Sequence, residues 1–435
     1  MVKGLFKTDV FERKLEETLT EWKSYGAVTT PKEIIDIMID LAEIRNKSAL
    51  KILEPAAGFC NFLFRVYSKF SDKRHEFWGV EINEEVFKKD QELYGELPFK
   101  LANKDYLLWE PEDKFDLIIG NPPYGIIGNK SHYPIYSLEK HKTSYKKQFA
   151  TWHGKFNIYG AFIEKSIALL KKNGKLVFII PATWMILDDF GKLRKYLSQY
   201  GKTKVYYLGK RVFRGIGVST CILIFEKGGH GAELYYRNED KFNLSNTIPD
   251  WNGSILRFEN NFTRAIEENS LELSRVFDIR ISARSTEVKN FPKLLHRSEE
   301  ESVPFLNGRN IRKGYITRDC FTDLWLERGC VIQVKAFYGV LPRILVGHTK
   351  GGKIVAALEN ELYPYVGDVY HLLPKTKMLK ESLARVVDWL NSSEIEKYVM
   401  TLYKEITPHI TKTQLALIPL EREGKIDKEV NQLWE

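Results

Sequence analysis

The sequence predicts an α/β protein in two domains: a doubly wound, mostly parallel sheet with helices on both faces over residues 1–230, and a mixed α and β domain over 231–435. Three observations predict it. Strand and helix patterns alternate from about residue 30 to 225, the periodicity stops at Lys227-Gly228-Gly229-His230-Gly231, and 435 residues exceed one domain of roughly 100–200.

The first helix carries Ile34, Ile35, Met38 and Leu41 at helical spacing, with Thr30 as the expected N-cap before an N1 proline, Pro31. Ala49 to Leu53 reads as a buried strand. A glycine-containing turn, Glu54-Pro55-Ala56-Ala57-Gly58, follows, and then a helix through Phe62, Phe64 and Val66. Three further strands are expected: Phe77 to Ile82, the segment around Leu101, and Phe115 to Ile119, ending near Glu81, Asp105 and Asn121. A helix with Ile163, Ile167 and Leu170 on one face stops at Gly174 and feeds a strand, Lys175 to Ile180. A helix near Lys192 to Gln199 and strands Val205 to Leu208 and Val218 to Phe225 complete the alternation. Beyond residue 240 the pattern is irregular, without repeats, and one helix is expected over Lys380 to Leu390.

Composition narrows the function classes. The chain is 43% apolar and 13% aromatic, enough for a full core, and its 66 basic against 57 acidic residues give a net charge of +9 that favours a polyanionic partner. Met1 to Arg13 contains no uninterrupted apolar region of a secretory signal, and Leu176 to Leu187, broken by Pro181, is too short for a bilayer. A cytoplasmic protein with no membrane span is expected. Cys60, Cys221, Cys320 and Cys330 are scattered without ligand spacing, so reduced thiols and no metal are expected; His409 likewise lacks a metal partner.

The strongest chemical signal is Asn121-Pro122-Pro123-Tyr124, directly after a predicted strand and therefore at the sheet edge where open α/β folds bind ligands. An amino group on an aromatic base is a poor nucleophile because its lone pair is delocalised into the ring. An amide oxygen from Asn121 and a backbone carbonyl at Pro122, held rigid by proline, can each accept one N–H and localise that lone pair. Tyr124 can stack on the base. Glu81 and Asp105, at two preceding strand ends, can meet ribose hydroxyls and the amine of a bound adenosine. The turn after Leu53 departs from G-x-G-x-x-G, which favours a cofactor without phosphates.

With these residues in place, the sequence resembles the TaqI-type, gamma-class DNA adenine-N6 methyltransferases, which use S-adenosyl-L-methionine. The likeness runs from Val28-Thr29-Thr30-Pro31 through Ile52 to Ala56, Gly79 to Ile82, Phe115 to Gly125, Tyr159 to Phe162, Pro181 to Trp184 and Val205 to Gly209, with Val212-Phe213 just after. It continues in Gly308-Arg309-Asn310, His348 to Gly351 and His371 to Pro374. The resemblance implies a Rossmann-like catalytic domain over 1–230 and a DNA target-recognition domain over 231–435. It implies that Thr30, Glu54, Pro55 and Ala56 line the methionine end of the cofactor, that Glu81 holds the ribose, and that Asp105 meets the adenine amine. Ile82, Tyr106, Pro123 and Phe162 would sandwich that adenine, and Phe213 would pack on a flipped target base opposite Tyr124. The first-strand loop departs from the family in continuing Ala57-Gly58-Phe59-Cys60, where Cys60 reads as loop filling.

The expected reaction is direct transfer to N6 of an adenine rotated out of duplex DNA lying between the two domains, with no metal and no cysteine adduct. The Lys140 to Lys155 run, Lys155 included, is placed to touch DNA phosphates, and Arg280, Arg284, Ser285, Arg309 and Lys350 are candidates for reaching the DNA from the second domain. A monomer paired with a separate restriction endonuclease is expected, with TCGA as the candidate site. Asn-Pro-Pro-Tyr also occurs in enzymes that methylate RNA or a protein glutamine, and a catalytically idle nucleic-acid-binding protein is a further alternative. A second domain of about 200 residues suits sequence-specific DNA readout, which needs groups beyond a single base pocket.

Overall fold

The computed structural model describes residues 29–421, other than 48, 128–134, 156, 214–216, 240, 269, 289–293, 297, 299, 333–339, 348–352 and 408. The chain divides into two compact units, Met1–Arg257 and Phe258–Glu435. In the first, the elements run α1 (Lys32–Ala42), β1 (Lys51–Pro55), α2 (Asn61–Lys69), β2 (Glu76–Glu81), α3 (Glu84–Tyr94), β3 (Phe99–Asn103) and β4 (Phe115–Gly120). Then come α4 (Lys142–Gln148), α5 (Tyr159–Leu169), β5 (Leu170–Pro181), α6 (Gly191–Tyr200), β6 (Gly201–Gly209), β7 (Thr220–Lys227), β8 (Ala232–Asn238) and β9 (Lys241–Ile248).

These strands form one nine-stranded sheet in the order β3-β2-β1-β4-β5-β7-β6-β8-β9. Strands β1 to β5 are mutually parallel where they pair, and β7 runs antiparallel to both β5 and β6. Leu176 to Ile180 and Cys221 to Phe225 are almost fully buried at every position, on both faces of the sheet, which is why these strands read as continuous apolar segments. From β1 the chain winds outward to β2 and β3, then returns to the other side through β4. The switch point between β1 and β4 is where such a sheet opens a crevice at its carboxyl edge.

The helix carrying Ile163 and Ile167 ends at Leu169, so Leu170 and Gly174 lie within β5 and not in or at the stop of that helix, and two further features differ from the sequence reading. The glycine cluster at 228–231 is a turn within the sheet: Gly228 and Gly231 take φ of +86° and +83°, and β8 pairs in parallel with β6 immediately afterwards. Residues 231–257 therefore belong with the first unit. Their strands mix Tyr, Arg, Asn and Lys because β9 is a half-exposed edge, so the apolar signal fades before the sheet ends. The second difference lies at α1. Pro31, not Thr30, is its N-cap and accepts the first helical N–H bonds from Ile34 and Ile35, so Thr30 keeps its hydroxyl for another partner.

The second unit is built from short strands. A four-stranded sheet places Phe277–Ile281 antiparallel to Tyr370–Pro374, which pairs in turn with Arg343–Val346 and then Ala356–Glu359. The expected helix Lys380–Leu390 is present, buries Leu383, Val386, Val387 and Leu390, and is followed by a second, Ser393–Tyr403, capped by the Ser392 hydroxyl. Among the described residues no helix is long and apolar enough to cross a membrane. All four cysteines are free, and Cys60, Cys221 and Cys330 are buried.

Candidate active site

The loops leaving β1, β2, β3 and β4 converge on a cavity of about 310 Å³, within the ordinary range of roughly 300–1,000 Å³ for small-molecule sites. Its walls include Ala56, Glu81, Ile82, Asp105, Tyr106, Pro123 and Phe162 of the sequence-derived set, together with Asn121, Pro122 and Tyr124. A smaller cavity of about 80 Å³ is lined by Thr30 and Glu54 and shares Ala56 and Asn121 with the first. Four strand ends are thus gathered around one space. Pro55 closes β1 and is buried, and neither it nor Phe213 lines either cavity.

Each polar group is held by the local backbone. Ala56 takes φ +75°, a left-handed conformation costly for a side chain with a Cβ, and its N–H and that of Ala57 both donate to the Val80 carbonyl, at 2.9 and 2.8 Å. Glu81 ties this turn to α3: one carboxylate oxygen accepts from Gly58 N–H at 2.9 Å, the other from Asn83 N–H at 2.8 Å. Glu54 accepts from Leu63 N–H at 3.0 Å at the start of α2. Burial nevertheless pushes its carboxyl up to about 8, against those backbone bonds. Asp90 on α3 is pushed up to about 9 by burial and then by Glu81 and Glu54, and burial also raises Glu81. Three carboxyls thus crowd beneath one loop.

Asn121 Nδ2 donates to Thr30 Oγ1 at 3.1 Å, which fixes which way round the amide stands: nitrogen toward Thr30, oxygen opposite. The following turn is pinned by Gly125, at φ +135°, whose N–H donates to Asn157 Oδ1 at 2.7 Å and whose carbonyl accepts from Ile158 N–H. Tyr124 donates its hydroxyl to the Ile179 carbonyl at 2.8 Å. Its ring meets Phe213 edge to face, centroids 6.4 Å apart at 68°, rather than standing parallel to it across a slot. Tyr106 and Phe162 stack on each other at 5.1 Å and 29°. They therefore form one wall of the cavity, not its two opposite sides.

The donor set fits S-adenosylmethionine. A cofactor with a sulfonium and an ammonium suits a floor of buried carboxyls, which its charge allows to ionise, and aromatic and proline walls suit a purine. Beyond Glu81 and Asp105, the lining includes Lys104 but no glycine-rich phosphate cradle.

Comparisons with known proteins bear on the family. Residues 33–213 match the Eco57I restriction-modification methylase family, and residues 303–420 match the TaqI-like C-terminal specificity domain. The chain is 41% identical over 413 residues to a Type II methyltransferase of Thermus thermophilus, covering 93% of this chain and 94% of that one. The chain belongs to the Type II restriction-modification methyltransferases. It is a DNA methyltransferase that uses S-adenosylmethionine, which sets aside the RNA, protein and idle-binder alternatives. This methyltransferase is also 31% identical over 170 residues to the restriction enzyme and methyltransferase RM.Eco57I of Escherichia coli, across 37% of this chain and 16% of that protein. Its fold is similar to a nuclease-deletion mutant of the Type ISP restriction-modification enzyme LlaGI, with a TM-score of 0.54 and 15% identity over 89% of this chain and 54% of that one.

The candidate DNA contacts are more dispersed. Lys155 is exposed, as are Lys140, Lys146 and Lys147. The basic run is not uniformly solvent-facing, however: Tyr145 and Phe149, four residues apart on and just after α4, are buried against the first unit's core. In the second unit Arg280, Arg284, Ser285 and Arg309 are all exposed. Segments around Ala283 and Leu306 flank one strand-like stretch through bridges to Val366 and Tyr365, which brings the neighbourhoods of Arg284 and Arg309 together. Arg280 is engaged by Asp278, with Nη2 at 2.7 Å. Lys350 and the His348 to Gly351 motif lie outside the described residues. The sequence reading missed Tyr145 as a cavity residue; its i, i+4 pairing with Phe149 is the signal that finds it.

Proposed function

We propose that this methyltransferase modifies N6 of adenine at a specific site in duplex DNA, as the modification half of a restriction-modification system paired with a separate endonuclease. The observation that carries the reading is the Asn121-Pro122-Pro123-Tyr124 turn at the end of β4, with the Asn121 amide oriented by Thr30 at the junction of the two cavities. S-adenosylmethionine supplies an electrophilic methyl group on positively charged sulfur. Asn121 Oδ1 and the Pro122 carbonyl each accept a hydrogen bond from one N–H of the target amine, which concentrates its lone pair on nitrogen, and the surplus N6 proton passes to water after transfer. Tyr124 stacks on the extruded base. Phe213 turns from its edge-to-face contact to lie parallel on the other side, since a stacked base needs about 3.5 Å of clearance on each face.

On the cofactor side, Glu54 takes the methionine ammonium, Glu81 the ribose hydroxyls and Asp105 the adenine amine, with Ile82, Tyr106, Pro123 and Phe162 around the purine. Glu54 ionises as the cationic cofactor enters. Exposed lysines of the 140–155 segment meet DNA phosphates, and Arg284, Ser285 and Arg309 reach toward the duplex from the second unit. Arg280 must leave Asp278 to do the same.

The test separates binding from turnover. Asn121→Ala is expected to lower single-turnover methyl transfer by roughly 100-fold or more, the usual scale for one transition-state hydrogen-bonding group, while S-adenosylhomocysteine affinity by calorimetry stays within about threefold. A variant with most of its wild-type turnover would make Asn121 a loop residue.

A further inference from the structure

Asp105 is held from two sides. It stands two residues beyond β3, where Oδ1 accepts the N–H of Leu107 at 3.0 Å, a local turn that any aspartate in this position can make. Oδ2 accepts the hydroxyl of Tyr145 at 2.6 Å, from 40 residues further along the chain. That second bond is not local, and its donor is unusually well fixed. Tyr145 is fully buried, lines the same cavity as Asp105, and lies between Trp152, stacked at 6.3 Å and 26°, and His141 at 6.0 Å.

The helix that carries it is moored on either side. Lys142 Nζ donates to the Ile127 carbonyl at 2.8 Å, and Gln148 Nε2 donates to the Leu107 carbonyl at 3.0 Å. Leu107 therefore gives its N–H to Asp105 and its carbonyl to Gln148, so helix and loop are joined at two points beside the carboxylate. Burial and the neighbouring Asp105 push the Tyr145 hydroxyl far above its ordinary ionisation range, so it stays a donor.

A carboxylate has about four acceptor positions, and these two bonds occupy two of them. The remaining pair is aimed by the two bonds already made. An amine donates to such an acceptor; a carbonyl at the same place on a purine would put oxygen against oxygen. We propose that Tyr145 is a positioning residue for the cofactor: by fixing the carboxylate of Asp105, it sets the site's preference for a 6-aminopurine. The proposal rests on the reading that Asp105 meets the cofactor's adenine amine.

The experiment uses the full chain and two probes, S-adenosylhomocysteine and its analogue in which hydrogen replaces the adenine 6-amino group, with affinities from calorimetry. The wild type is expected to prefer the amino compound by roughly 10-fold or more, the scale of a hydrogen bond to a charged group. Asp105→Asn, whose side-chain nitrogen cannot accept, should reduce that preference. Tyr145→Phe keeps the buried ring but removes the donor. It should weaken the amino compound by roughly 10-fold while changing the analogue by less than about twofold.

The outcomes are distinguishable. A wild type that does not tell the two probes apart overturns the placement of Asp105 itself. A wild type that discriminates, with Tyr145→Phe either keeping the full preference or weakening both probes equally, overturns the role of Tyr145 and leaves Asp105 in place. Gln148→Ala, which removes the bond to the Leu107 carbonyl at a residue that is itself exposed, serves as the second variant if Tyr145→Phe does not fold. It should lower the preference in the same direction, and equal weakening of both probes would again contradict the proposal.

Discussion

The core of the second unit and the pocket of the first handle buried acids differently, although elsewhere in the first unit buried charges such as Lys165, paired with Glu110, are closed as well. In the second, Glu359 is fully buried but closed into a set: both its oxygens accept from Arg318, at 2.8 and 3.1 Å, and Tyr365 donates to it as well. The buried His371 shares a proton with Ser282 at 2.7 Å, and burial lowers its basicity, so it sits neutral. In the first unit, Glu54, Glu81 and Asp90 gather beneath one loop, none of them is in an ion pair among the described residues, and burial raises all three. Acids raised in this way keep their protons near neutral pH and ionise when a positive group arrives beside them, whereas Glu359 already has its counter-charge in Arg318. The difference separates a scaffold that presents surface cations from a pocket that awaits a cationic cofactor.

The comparison breaks most visibly by removing a unit. A chain ending at Arg257, the limit of the first compact unit, is expected to bind S-adenosylhomocysteine yet to lose site-specific methylation altogether, as judged by modification mapping of plasmid DNA. Specific methylation by the shortened chain would overturn the division of labour. Ending at Gly231 instead would strip β8 and β9 and leave the long edge of β6 unpaired, so aggregation on gel filtration is expected there.

Within the first unit, Tyr124→Ala and Phe213→Ala should each cost about 1–3 kcal/mol in holding the extruded base, the scale of aromatic and base stacking. Fluorescence of 2-aminopurine at the target position reads this directly, and an unchanged signal in both variants would remove the stacking roles. The smallest effect concerns pH. Glu54 has its folded-state value raised from 4.5 to about 8, so its contribution to folding is fully present below about 4.5 and lost as pH rises through 8. A cation bound beside it favours the ionised form. S-adenosylmethionine affinity should therefore rise with pH toward 8, by less than about 10-fold per unit, with proton release on binding. Subtracting the Glu54→Gln profile isolates this slope; superimposable profiles would remove Glu54 from the cofactor's charged end.

The same contrast explains what could be read from the sequence. Strands β1 and β4, buried on both faces, announce themselves as apolar runs ending in Glu54-Pro55 and Asn121-Pro122, so the chemistry at the sheet edge is legible because the sheet is regular. Thr30 shows where local rules give way: its sequence context is that of a helix cap, but a partner 91 residues distant takes the hydroxyl. Tyr145 lies inside a lysine-rich stretch whose charge draws attention outward while its helical spacing points in. In the second unit, strands of only two to five residues, such as Ile311–Arg312 and Phe277–Ile281, are too short to show a period at all. Their pairing depends on contacts between segments far apart in sequence, as between Phe277 and Pro374.

The central claim is that the pocket at the end of β4 acts on an adenine amine. Its most direct test is to incubate the purified chain with duplex DNA and methyl-labelled S-adenosylmethionine, hydrolyse the DNA to nucleosides and identify the labelled one by mass spectrometry. Label is expected in N6-methyladenine alone, and none is expected in Asn121→Ala on the same timescale. Label in N4-methylcytosine would contradict it, because the stacking and acceptor geometry assigned to Asn121, Pro122 and Tyr124 would then serve a different base.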